Sequence, residues 1–249
     1  MNRIEQLLTP EFMEPELARD EVSSARISSD VNVACSLFMP LHYESNYAYP
    51  LLVWLHSPGN SDQQLKRIMP LISMRNYVGV APRGLVRERD ERSSHAGWSW
   101  PSGAEYVASV AQRVFESVAL ARQKANISER RVFLAGFGAA GTAALRVAMR
   151  YPRRFAGVLS LCGGFPEGGN PLARIAEARR VPIFLACGQD AQNYAMSAVC
   201  DNLRLLHTAG MTVSLRLYPG RDELSPLMLP DMDRWIMEQL SSTRSVVKN

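Results

Sequence analysis

Residues 131–141 read RVFLAGFGAAG, an apolar run, Val132-Phe133-Leu134-Ala135, that leads into six residues of which all but Phe137 are Gly or Ala. A continuously apolar stretch of this length suits a strand covered on both faces, since no side of it meets water. Ala139–Tyr151 then forms a helix of small residues closed by Pro152, suited to packing closely against a sheet. The same alternation extends outward in both directions. Strands are expected at Asn32–Met39, Leu51–Leu55, Tyr77–Ala81, Arg131–Ala135, Gly157–Leu161, Pro182–Ala186 and Thr212–Leu217. Helical patterns separate them, so the chain is predicted to be α/β: one three-layer domain with a central, mostly parallel sheet and helices on both faces.

The helices carry start signals. Ser61 with Gln64, and Ser102 with Glu105, each match a capping box, in which side chains satisfy the open amides of a first turn. Leu65, Ile68, Met69 and Ile72 share one face at helical spacing, as do Val107, Val110, Val114 and Val118. Met196, Val199, Leu203 and Leu206 mark a further helix, and Met232, Trp235, Ile236 and Leu240 the last. These stripes are core positions. The expected organisation is an N-terminal arm over 1–24, the α/β domain over 25–242 and a tail over 243–249.

With 249 residues, 47% of them hydrophobic, the chain can bury a full core. The net charge is +4, and the densest basic stretch (Arg83, Arg87, Arg89, Arg92) is interleaved with Glu88, Asp90 and Glu91. It reads as a solvated loop, so no nucleic-acid partner is expected. Cys35, Cys162, Cys187 and Cys200 are too widely spaced for a zinc site or a disulfide framework. The first twenty residues lack the basic and apolar regions of a secretory signal, and no run could span a bilayer. A cytoplasmic protein is expected. No nucleotide-, flavin- or metal-binding motif is present, so no cofactor is expected.

Four segments in register resemble the phospholipase/carboxylesterase branch of the α/β-hydrolase superfamily: YPLLVWLHSPGN (49–60), RVFLAGFGAAG (131–141), FLACGQD (184–190) and LYPGRDELSP (217–226). The resemblance runs from about Asn32 to Leu240 and implies an esterase fold. It also implies where a catalytic triad would lie. In that family a sharp Gly-x-Ser-x-Gly turn lifts a serine nucleophile above the sheet. The serine position here is Gly138, which has no side chain to acylate. The family histidine follows the last strand, where this chain has Asp222 in a loop one residue shorter, and an ordinary carboxylate is far too weak a base at neutral pH. Asp190 falls at the position of the acid, and is expected to bond loop amides. An oxyanion hole needs two N–H donors. Ala139 keeps one, whereas Pro58, beside His56 and Ser57, lacks the other.

Other residues bear on the chemistry. Ser57, Ser160 and Cys162 could each be nucleophiles, but a hydroxyl without a base is inert and a thiol among apolar residues has a raised pKa. Of the four histidines, His42 lies in an early loop, His207 on a helix and His56 in the Leu-His stretch, which leaves His95 as the one that could reach a pocket. Asp190 and Asp222 either form a pair able to hold a divalent metal or share a proton, or are unrelated loop carboxylates. Trp98 and Trp100 either wall a pocket for a small apolar or ester-like ligand or anchor a loop on the core. The resemblance with these substitutions implies a pseudoenzyme that binds a small ligand or a protein; the alternative is a carboxylesterase, thioesterase or phospholipase working through other residues.

Overall fold

The structure, a computed structural model, describes residues 34–89 and 96–246. Seven strands form one sheet: β1 (Cys35–Phe38), β2 (Tyr49–Leu55), β3 (Val78–Pro82), β6 (Ile127–Phe137), β7 (Gly157–Leu161), β8 (Ile183–Gly188) and β9 (Val213–Tyr218), in the order β1-β3-β2-β6-β7-β8-β9. Within this sheet, among the described residues, β1 runs antiparallel to β3 and the other pairs are parallel. All seven residues of β2 are buried, and its side chains alternate between two cores. Leu51, Val53 and Leu55 join the cluster under α2 (Val107–Lys124) and α3 (Ala139–Arg150). Leu52 and Trp54 join the one under α1 (Leu65–Ile72) and α6 (Met228–Val246). Burial on both faces is why β2 and its central neighbours read as apolar runs, whereas β9 is partly exposed. The α/β, three-layer architecture expected from the sequence is the one observed.

Several boundaries differ from expectation. β6 starts four residues before the expected strand Arg131–Ala135, because Ile127 pairs with Tyr49 ahead of a bulge. The basic stretch expected to be a solvated loop contains β4 (Val86–Arg89), which pairs with β5 (Ala96–Ser99) in a two-stranded ribbon. With Val86 and Arg87 both exposed, this ribbon has no apolar run to detect. A short helix, α4 (Ile175–Ala178), precedes β8, and α5 (Met196–Thr208) precedes β9. The 1–24 arm, Asn32 and Val33, residues 90–95 (His95 among them) and 247–249 lie outside the described residues; residues 243–246 of the expected tail continue α6. Among the described residues no helix is long and apolar enough to cross a membrane.

The capping boxes are only half realised. Ser61 Oγ accepts from the Gln63 N–H at 3.3 Å, opening a 3-10 turn over Asp62–Gln64, but Gln64 turns away into the β2 loop. The turn before α2 is capped by Gly103, with no side-chain bond from Ser102. Asp62, missed from the sequence, ties this region together. It is 1% exposed and accepts from Ser36 Oγ, Arg83 Nε and Gln63 Nε2 at 2.8, 2.8 and 3.0 Å. Burial alone would raise its pKa, but the bonds from Arg83 and Ser36 and the Arg83 charge prevail and hold it below the ordinary carboxylate value. A depressed carboxylate stabilises the fold above its unfolded pKa of about 4, and that contribution is lost as pH falls through the folded value. Asp62→Asn should therefore lower stability by about 1–3 kcal/mol at neutral pH. Urea titrations should show the gap to wild type shrinking below about pH 4; a gap that persists at acid pH would count against the ionised role.

Candidate functional site

The turn between β6 and α3 is the centre of the site. Gly138 has φ 60° and ψ −129°, a left-handed excursion between an extended strand and a helix. Its N–H donates to Leu161 O at 2.8 Å, and its carbonyl accepts from Gly141 and Thr142 N–H at 2.9 and 3.2 Å. The flanking glycines are required by close approach. A β-carbon on Gly136 would stand 2.5 Å from Ala140 O, and one on Gly141 2.6 Å from Ser160 Oγ. One on Gly163 would stand 2.6 Å from Gly138 O. Gly138 itself is different: a β-carbon there would meet nothing nearer than Pro58 Cδ at 3.8 Å. The turn thus keeps room for a side chain at position 138 and carries none.

Pro58 faces this space with the ring carbon bonded to its own nitrogen, so the position of an N–H is filled by Cδ. Ala139 opens α3, where N–H groups have no acceptor within the helix. One backbone donor therefore remains beside Gly138. The loop from β2 to α1 is held from below. Gln64 Oε1 accepts from Trp54 Nε1 and from the Ser57 N–H, both at 2.9 Å, and Gln64 Nε2 donates to Ser57 Oγ at 2.9 Å. The sequence pattern places Gln64 in a cap; its part in fixing Ser57 leaves no separate signal.

His56 is fully buried. Its Nε2 accepts from the Gly84 N–H at 2.9 Å, so Nδ1 bears the proton and donates to Ser57 O at 2.9 Å. Its ring lies 5.5 Å from that of Trp100, which is 2% exposed and belongs to the core. Trp100 is therefore a loop anchor and not the wall of an open pocket. Trp98 is half-buried; its backbone bridges to Asn60 and the Arg83 guanidinium lies 5.6 Å from its ring.

The carboxylates sit at the ends of β8 and β9. A β-carbon on Gly188 would stand 2.1 Å from Arg221 O, so this glycine lets the loop after β9 fold over the end of β8. Asp222 Oδ2 accepts from the Gln192 and Asn193 N–H groups at 2.7 and 3.0 Å, while its buried Oδ1 has no partner. Asp190 is exposed, and its N–H donates to Gly220 O at 2.9 Å. The expectation that Asp190 bonds loop amides is thus corrected: Asp222 does so, because its loop folds back across residues 190–193. Among the described residues, no group of three or more His, Cys, Asp or Glu side chains could hold a metal ion.

The substitute nucleophiles lack activation. Burial pushes the Cys162 thiol up to about 12 and the Cys187 thiol up to about 11, with the Asp222 charge adding to both. Ser160 is 1% exposed and its hydroxyl donates to Gly163 O at 3.3 Å. Ser57 is bonded to Gln64. His42 follows β1, the antiparallel strand, and His207 ends α5 ahead of β9, so both lie at the sheet end opposite the turn. Substitution should separate space from chemistry. Gly136→Ala should cost about 1–3 kcal/mol through backbone overlap. Gly138→Ser should cost about 1 kcal/mol, from positive φ alone, and less than Gly136→Ala. Denaturant midpoints check both, and a Gly138→Ser loss larger than that of Gly136→Ala would contradict the open space at 138.

The model of the Esterase family matches residues 24–212, ending before β9 and the Asp222 loop. Carboxylesterase SOBER1 of Arabidopsis thaliana is 28% identical over 116 residues, 46% of this chain and 51% of that protein. A SOBER1-like carboxylesterase of the same plant is 26% identical over 121 residues, 48% of this chain and 46% of that protein. The chain spans about half the length of these relatives. The crystal structure of Arabidopsis thaliana SOBER1 is similar with a TM-score of 0.64 at 21% identity, covering 78% of this chain and 100% of that one. A carboxylesterase from Mesorhizobium loti gives 0.68 at 15% identity, covering 84% of this chain and 96% of that one. At such identities the structural likeness establishes the fold, and the sequence model establishes the lineage: the chain belongs to the Esterase family and has the α/β-hydrolase fold.

Proposed function

We propose that this member of the family is a pseudoenzyme that does not act as a serine hydrolase and serves instead to bind a small ligand or a protein. The observation that carries this reading is Gly138: a sharply turned backbone with space for a nucleophile and none present. Two further features support it. The position opposite the turn offers proline in place of an N–H, and loss of one oxyanion donor removes on the order of 3 kcal/mol of transition-state stabilisation. Asp222 is bonded to two loop amides, where a mobile imidazole would be needed to carry a proton. Gly138, Asp190 and Asp222 are on this reading the remnants of a triad, with Ser57, Pro58 and Ala139 around a degenerate oxyanion hole.

Purified protein should neither react with a fluorophosphonate serine probe nor hydrolyse short-chain p-nitrophenyl esters above buffer. Gly138→Ser alone should remain inactive, since it restores a hydroxyl without a base or a second donor. Specific labelling of wild type would overturn the proposal. Peptide mapping would then name the nucleophile, with Ser57 tested first, and favour an active hydrolase with other catalytic residues.

A further inference from the structure

Away from the turn, a cavity of about 390 Å³ opens between the start of α2, the C-terminal half of α3 and the loop 169–174. Arg146 lies in its lining and is only 7% exposed. Its terminal nitrogens donate to Gly168 O at 3.0 Å and Glu167 O at 2.6 Å, while Nε has no partner. Carbonyl oxygens satisfy hydrogen bonds but carry no net charge, so a buried guanidinium is left without a bonded counter-charge. Burial pulls its pKa down, and the nearby Glu105 acts in the opposite direction without bonding to it. Two more cations, Arg150 and Arg174, line the same cavity. Arg174 is shared with Glu177 at 2.7 Å; Arg150 is exposed and lies 5.8 Å from the Tyr151 ring.

The wall between these charges is apolar, with Val107, Met149 and Pro171 in the lining. Gly169 allows the loop to close on the α2 side, since a β-carbon there would stand 2.3 Å from Ala104 Cβ. Three arginines, one of them already paired with Glu177, face Glu105, and the remaining net charge of about one favours a monoanion, while the hydrocarbon wall favours a ligand with an apolar body. A phosphate dianion would meet Glu105 and leave that wall wet.

We propose that this cavity binds a small carboxylate with a short apolar tail, its head group among Arg146, Arg150 and Arg174 and its tail on Val107 and Met149. The site is separate from the Gly138 turn and does not depend on whether the protein is a hydrolase.

Isothermal titration of the whole chain with hexanoate, hexan-1-ol and inorganic phosphate tests it. Hexanoate should bind saturably, with hexan-1-ol and phosphate each weaker by about tenfold or more. Ala173→Trp, at an exposed lining position, should fill the cavity and abolish binding while leaving the thermal midpoint near wild type. Arg174→Gln should weaken binding several-fold. Glu105→Gln should strengthen it, because a competing negative charge is removed. Absence of saturable hexanoate binding up to tens of millimolar, equal binding of hexan-1-ol, or undiminished binding to Ala173→Trp would each overturn the proposal.

Discussion

The close approach of three glycines around the β6–α3 turn is the constraint on which the rest of the architecture depends. Gly136 lets the strand end against the first turn of α3, Gly141 lets that helix lie on Ser160, and Gly163 lets the β7 loop pass the Gly138 carbonyl. The turn is fastened by the Gly138–Leu161 hydrogen bond and by the carbonyl of Gly138 capping α3. None of these contacts involves a side chain at position 138. A turn of this shape can therefore be held without a side chain at position 138, and glycine carries its positive φ without a steric penalty. Fold and chemistry are separable here because different atoms maintain them.

Around that turn, the polar side chains are bonded to neighbouring loop groups. Ser57 is clamped by Gln64, His56 is held between Gly84 and its own loop, and Asp222 caps two amides. The thiols of Cys162 and Cys187 are kept neutral by burial. Each arrangement satisfies buried polar atoms, which a folded chain needs whether or not it catalyses anything. One backbone donor, from Ala139, still points out of the start of α3; on the proposed reading a lone amide does not compensate for the missing serine and histidine.

Much of this is legible in the sequence. The central sheet strands leave continuous apolar runs because both faces are covered, and the Gly/Ala spacing of 136–141 marks a turn whose flanking positions are too crowded for side chains. The β4–β5 ribbon leaves no such mark, since a two-stranded element with exposed edges needs neither alternation nor an apolar run. Side-chain partners are the least visible. Ser61 and Gln64 match a capping box, yet Gln64 makes three hydrogen bonds across the loop, to Trp54 and Ser57, that local spacing does not encode. Asp190 and Asp222 both read as loop carboxylates, but which of them meets amides depends on how the β9 loop folds over Gly188, a contact between distant segments. Arg146 is hidden within a small-residue helix whose stripe reads as core. Only the path of the 167–170 loop shows that its charge is buried.

Backbone packing, and not the residue at 138, maintains the turn. A crystal structure of the Gly138→Ser variant tests this most directly. The expected result is that residue 138 keeps φ near 60° with the introduced hydroxyl directed into the space below Pro58, and that the 136–141 backbone is otherwise unchanged. A turn that rearranges to release the introduced serine from positive φ would contradict it, showing that glycine had reshaped the site and not merely emptied it.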